Sequence, residues 1–305
     1  MPYGRVPEPM IRLPYIEPVF RPPSEAHSLI LQVTNGCSWN RCTFCEMYTL
    51  PQKKFHLKPL EQIEEEVSAV SRSGVPVRRI FLADGDAMTL SYRRLQDIME
   101  VIRRHLPSIQ RVSSYCLPRN LKNKSVEELR ALRELGLDLF YVGCESGDDF
   151  VLERVQKGET FESPLAALRK IKAAGARSSV MILNGMGGLK YSEQHAKNSA
   201  LLMNEAQPEY LATLVVSFPQ GMEKYQSGFE GEFEPLDQPG LFREMFWLLD
   251  TLELDRTIFR SDHASNYLVL KGTLNRDKQR LLDIVRQALE RPGSVPLRPE
   301  WARGL

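Results

Sequence analysis

Six short runs of β-branched or apolar residues recur along the chain, at 29–34, 79–83, 111–115, 139–143, 178–183 and 210–217, and each predicts a strand. Longer amphipathic stretches separate them. Leu60, Ile63, Val67 and Val70 fall on one helical face, as do Leu95, Ile98, Met99 and Ile102 in the next unit. The punctuation agrees. Ser125 with Glu128 three residues on forms a capping box, and Gly136 stops that helix. Ser163 followed by Pro164 predicts an N-cap with proline at the first helical position, and Gly175 ends that stretch. Such alternation builds a parallel sheet from βα units. Six units fall short of the eight in a closed barrel, so periodicity alone leaves an open barrel or a doubly wound sheet.

The flanks differ from this middle. Residues 1–27 interleave seven prolines with Tyr15, Phe20 and other apolar residues, which predicts an extended segment strapped over the core, too apolar for a solvated tail. After Phe218 an acidic, glycine-containing loop leads into an amphipathic stretch at 241–252 and a last helix at 275–289. The expected organisation is a core at 28–220 and a helical appendage at 221–305 that covers one side of it. A chain of 305 residues with a formal net charge of +1 offers no general argument for nucleic-acid or membrane binding. Its N-terminus lacks a continuous apolar leader, and no run approaches the roughly 18–20 apolar residues of a membrane span. A cytoplasmic location without membrane association is expected.

Chemistry concentrates directly after the first predicted strand. Cys37, Cys42 and Cys45, three of the five cysteines, stand within nine residues in a C-x4-C-x2-C arrangement. In a reducing compartment such spacing reads as a metal site rather than a disulfide. Three arrangements satisfy it: a cubane cluster with one iron left open, a ferredoxin-like cluster completed by Cys116 or Cys144, or a zinc site with a fourth ligand such as histidine.

The three-cysteine loop after a first strand, with Phe44 just before its last cysteine, resembles the radical S-adenosylmethionine (radical SAM) superfamily. The departure is a first gap of four residues, Ser38 to Arg41, where the commonest pattern has three. The resemblance covers about residues 28–220 and implies an open (β/α)6 partial TIM barrel. It also implies one [4Fe-4S] cluster on Cys37, Cys42 and Cys45. The open iron would bind S-adenosylmethionine, whose reductive cleavage gives a 5'-deoxyadenosyl radical for hydrogen abstraction. An external flavodoxin or ferredoxin is the implied reductant. No stretch before the cysteines has the length of a cobalamin-binding domain, and no auxiliary cysteine clusters follow the barrel, so a single-cluster enzyme is expected. Its substrate, whether a small molecule, a tetrapyrrole or RNA, is not chosen by the sequence.

In parallel α/β folds the reacting groups gather at the C-terminal ends of strands. After the second predicted strand come Asp84, Gly85 and Asp86. Cys116 follows the third, Cys144, Glu145 and Ser146 the fourth, and Asn184 and Gly185 the fifth. Each also reads as turn chemistry. The resemblance assigns 84–86 to the amino-group-binding turn, Glu145 and Ser146 to ribose contacts, and Lys157 to the methionine carboxylate. It places Asn184, Gly185 and Phe44 against adenine. Cys116 and Cys144 read either as small buried hydrophobes or as cavity-facing groups that meet the substrate. His263, between small polar residues, is a candidate acid, base or substrate ligand, or a histidine bonded within its own loop. The alternative to an enzyme is a non-catalytic iron-sulfur electron-transfer or zinc-binding module.

Overall fold

The computed structural model describes residues 13–304. Its main sheet joins β1 (Leu29–Gln32), β4 (Arg79–Ala83), β5 (Arg111–Cys116), β6 (Leu137–Glu145), β7 (Arg177–Asn184), β8 (Tyr210–Val215), β9 (Ile258–Ser261) and β10 (Leu270–Thr273) in that order. All neighbouring pairs run parallel except β10, which is antiparallel to β9. β1 and β10 are the outer strands and do not meet, so the sheet is not closed. A short antiparallel pair, β2 (Thr34–Asn35) with β3 (His56–Leu57), pinches the base of the cysteine loop.

The helices α1 (Leu60–Arg72), α2 (Tyr92–His105), α3 (Val126–Glu134), α5 (Glu162–Ala173), α6 (Gly188–Ala206), α8 (Gln238–Thr251) and α9 (Lys278–Glu290) all send apolar residues into one core. That core holds one set of strand residues, among them Leu31, Leu82, Val112, Val142, Val180 and Phe259. The opposite set, including Phe81, Tyr115 and Tyr141, packs in a separate cluster without any helix residue. Helices on one face only are the arrangement of a partial barrel, whereas a doubly wound sheet carries them on both. Short helices α4 (Asp149–Arg154) and α7 (Glu223–Gly228) lie outside this layer, beside an aromatic cluster beyond the ends of β7 and β8.

The inner face is filled at one half by Phe81, Tyr115 and Tyr141, which meet edge to face with centroids 4.9–6.3 Å apart. Below them runs the described part of the N-terminal segment. Glu25, fully buried, accepts hydrogen bonds from Arg111 and from the Tyr141 hydroxyl, both at 2.7 Å. Tyr15 donates to the Ile30 carbonyl (2.9 Å), and the Gln32 side chain pairs with the Ile16 backbone. Residues 1–12 of that expected segment lie outside the described residues.

The six predicted strands correspond to β1, β4, β5, β6, β7 and β8. Two more extend the sheet from the region expected to be helical. β9 and β10 are four residues each, and Arg260 in one and Gly272 in the other dilute the apolar alternation that identifies a strand. The Ser125–Glu128 capping box is present. α5 begins at Glu162, so Ser163 lies inside its first turn instead of capping it, and Pro164 is the third helical residue instead of the first. No helix of the described residues is long and apolar enough to cross a membrane.

Candidate active site

The cysteine loop is anchored from below by a buried pair. Gly36 has a φ of +69°, and a Cβ there would overlap the Lys53 carbonyl, so only glycine fits where the loop leaves β2. The Gly36 N–H donates to Asp84 Oδ2 at 3.0 Å, and the same oxygen pairs with the Lys53 ammonium. Both charged side chains are shielded from solvent. On the other side of Cys37, the Ser38 N–H and hydroxyl donate to Asp86 Oδ2. The two carboxylates of Asp84-Gly85-Asp86 thus staple the residues before and after Cys37. Gly85 between them lies under the Tyr48 ring, which a Cβ would enter.

The four-residue gap has its own support. Trp39 donates from its indole nitrogen to the Gln156 carbonyl (2.8 Å), with the Arg119 guanidinium 3.7 Å above its ring. Arg119 in turn donates to the Lys157 and Gly158 carbonyls at 2.9 and 2.6 Å. Gly158, at φ +70°, leaves room for the indole. The extra residue relative to the commonest pattern therefore supplies a loop apex that clasps the 156–159 turn. Thr43 N–H bonds the Val155 carbonyl at 3.0 Å from the same side.

This clasp brings Lys157 to the cysteines. Its buried ammonium lies 3.1 Å from Glu145 Oε1 and 5.7 Å from the centre of the Phe44 ring. Burial alone pushes that ammonium pKa down, but the Glu145 carboxylate and the Cys42 sulfur outweigh it and the net shift is upward. Burial raises the pKa of all three loop thiols, Cys45 to about 11, and the Lys157 charge opposes that rise at each. Neighbouring thiols add to the rise, Cys37 at Cys42 and both of these at Cys45. Glu145 Oε2 is buried without a partner among the described residues, as are Asp84 Oδ1, Asp86 Oδ1 and Asn184 Oδ1. Unmatched buried acceptors are costly unless a ligand meets them. No three of the described histidine, cysteine or carboxylate side chains are grouped to hold a single metal ion.

Other predicted residues lie elsewhere. Ser146 is buried and bonded to His195 Nδ1 (2.7 Å), and His195 Nε2 reaches the Leu183 carbonyl (3.0 Å), so this hydroxyl links β6 to α6. Asn184 lines a small cleft with Leu241, Phe242 and Met245 of α8. Gly185 donates its N–H to Glu244 Oε1 at 2.6 Å, and Ser192 donates to the other oxygen of that carboxylate. Cys116 and Cys144 lie in the helix-facing core, 2% and 1% exposed, with burial raising both thiol pKa values. As reacting groups for the inner face they point the wrong way, because they alternate with the inward Tyr115 and Gly143. His263 follows β9 and accepts at Nδ1 from the Ser265 N–H (3.2 Å), a bond within its own loop. Burial and nearby Arg298 lower its pKa. Sequence reasoning missed Lys53, Trp39, Arg119, His195 and Glu244. Only Trp39, inside the motif, carried a signal.

The family model for the radical SAM superfamily matches residues 31–202, more than half of the chain. The chain belongs to the radical SAM superfamily. It is 25% identical over 230 residues to a 4'-phospho-dehydrooxetanocin synthase from Priestia megaterium, covering 66% of this chain and 30% of that protein. It is 26% identical over 153 residues to the heme chaperone HemW of Bacillus subtilis, covering 49% of this chain and 40% of that one. The chain thus spans well under half the length of these relatives. The Escherichia coli coproporphyrinogen III oxidase HemN, a radical SAM enzyme, shares the fold with a TM-score of 0.57 at 17% identity, over 73% of this chain and 52% of HemN. Radical SAM proteins of this fold bind a [4Fe-4S] cluster and S-adenosylmethionine. The donor set found here, three clustered thiols beside a buried cation and unmatched carboxylate oxygens, fits both.

Proposed function

We propose that this chain is a single-cluster radical SAM enzyme in which Cys37, Cys42 and Cys45 hold the [4Fe-4S] cluster and the adjoining polar groups hold S-adenosylmethionine. When bound, cluster and cofactor supply a one-electron cleavage of the sulfonium carbon–sulfur bond that yields a 5'-deoxyadenosyl radical, used to abstract hydrogen from a substrate. The observation that carries this reading is the Lys157–Glu145 pair beside the three thiols, with Glu145 Oε2 buried and unpartnered.

In this reading Lys157 faces the carboxylate of the cofactor as a fixed positive charge, and Glu145 Oε2 accepts a ribose hydroxyl. Phe44 offers an aromatic surface, and the bare backbone of the Gly185 turn lets adenine approach closely. Tyr225 positions that turn by donating to the Met186 carbonyl at 2.7 Å, and Glu244 holds it from behind through the Gly185 N–H. The Asp84–Asp86 turn contributes backbone to the amino group while its side chains hold Cys37 in place. An external one-electron donor such as flavodoxin or ferredoxin supplies the electron.

The test is anaerobic reconstitution with iron and sulfide, addition of dithionite and S-adenosylmethionine, and chromatography of 5'-deoxyadenosine. Product from the native protein and none from a Cys37→Ala, Cys42→Ala, Cys45→Ala variant supports the proposal. A fully loaded four-iron protein that binds no S-adenosylmethionine contradicts it.

A further inference from the structure

The inner face of the sheet is filled on one side and open on the other. The aromatic floor and N-terminal segment occupy β1 to β6, while on β7 and β8 the inward residues Ser179, Met181, Leu183, Ala212 and Leu214 are half-exposed, alternating with buried neighbours. The strand register sets one row across this open half: Gly143 opposite Met181, Met181 opposite Ala212, Ala212 opposite Arg260, and Arg260 opposite Lys271. Phe259 and Leu270 lie in the helix-facing core, so Arg260 and Lys271 project to the inner face, where both are exposed.

Two like charges directly opposite on neighbouring strands destabilise the pair. Lys271 is compensated by Asp262 at 2.7 Å. Arg260 has no carboxylate partner among the described residues, and its guanidinium reaches only the carbonyl of its neighbour Phe259 at 3.0 Å. At the far end of the row, a side chain on Gly143 would meet the Lys157 ammonium and Glu145. The row therefore starts at the proposed cofactor site and ends at an uncompensated cation. Three strand spacings of about 4.8 Å separate the ends, roughly 14 Å of trough floored by Met181 and the small Ala212.

We propose that this trough is the substrate channel and that Arg260, with Lys271 beside it, holds an oxyanion of the substrate, a carboxylate or a phosphate. This rests on the placement of the cofactor given above. The substrate is then an elongated molecule whose anionic group lies on the order of 10 Å from the carbon that reacts, with a less polar portion over Met181 and Ala212. The planar fork of Arg260 suits either oxyanion, by two parallel hydrogen bonds.

The test is calorimetric titration of the cluster-loaded protein with inorganic pyrophosphate and, separately, with glutarate. Saturable binding of one probe at a single site is expected, and the probe that binds distinguishes phosphate from carboxylate. Arg260→Gln should weaken that binding about tenfold or more, and Arg260→Lys by less, since it keeps the charge and loses the fork. Arg286→Gln, on α9, should leave it unchanged. Binding of neither probe, or equal weakening by the Arg286 variant, overturns the proposal. Because oxyanion binding needs no cofactor cleavage, it can fail or succeed independently of the 5'-deoxyadenosine assay.

Discussion

Replacing Asp84 with alanine removes one carboxylate from three partners at once. The Lys53 ammonium keeps the Ile16 carbonyl at 2.9 Å and the Tyr48 ring, 5.8 Å to its centre, the Gly36 N–H loses its acceptor, and the Gln32 amide loses a weaker contact at 3.3 Å. With both charged side chains shielded from water, breaking the pair costs about 3–5 kcal/mol, most of it the stranded ammonium. At roughly 2–4 °C per kcal/mol for a large domain, thermal unfolding of the reduced, cluster-free protein should fall on the order of 10 °C. A Lys53→Met, Asp84→Ala double variant removes the stranded charge and leaves the Gly36 N–H unmet, a cost of about 1–3 kcal/mol. It should therefore be more stable than Asp84→Ala alone. Both variants should load less iron, because Gly36 fixes the start of the cysteine loop. An Asp84→Ala protein that melts within about 2 °C of the native one, or single losses that simply add in the double variant, would refute a buried, mutually dependent pair.

Other residues of the site give further expectations. Lys157→Met removes the charge that opposes the upward, burial-driven shift of the Cys42 thiol, so alkylation of Cys42 by iodoacetamide in the cluster-free protein should need a higher pH, read by mass spectrometry. Gly158→Ala puts a methyl group into the Trp39 indole at a φ of +70°, which should destabilise the fold by about 1–3 kcal/mol and shift tryptophan fluorescence as the clasp opens. Burial raises the carboxyl pKa of Glu244 above its usual 4.5. The folded protein then holds that proton longer than the unfolded chain does, so this group contributes stability at low pH that is lost as pH rises above 4.5 through the folded value. Glu244→Gln should remove that slope from a plot of melting temperature against pH, and an unchanged slope would show that another group causes it.

The core βα alternation was legible because each unit carries its own period, cap and stop. The two strands it missed are too short and too polar to show a period, and only the pairing of β9 along β8 and of β10 along β9 makes them strands. The cysteine loop was legible because ligand spacing is local. Its support was not. Lys53 and Asp84 are 31 positions apart, and a lysine beside a proline-containing turn has no local mark of burial. Glu145 and Lys157 were recognised separately, and the structure adds that they pair across a left-handed Glu145 and the turn gripped by Trp39. Cys116 and Cys144 stand at strand ends in the sequence, but which face of a strand looks inward is decided by where the helices pack, and both cysteines share the helix-facing side with Val142.

The most direct test of the cofactor site is electron paramagnetic resonance of the reduced, reconstituted protein with and without S-adenosylmethionine. The account predicts the signal of a single [4Fe-4S] cluster that changes on addition of S-adenosylmethionine, persists in a Cys116→Ala, Cys144→Ala variant, and is absent when Cys37, Cys42 and Cys45 are replaced. A signal that ignores S-adenosylmethionine, or a cluster that requires Cys116 or Cys144, would contradict it.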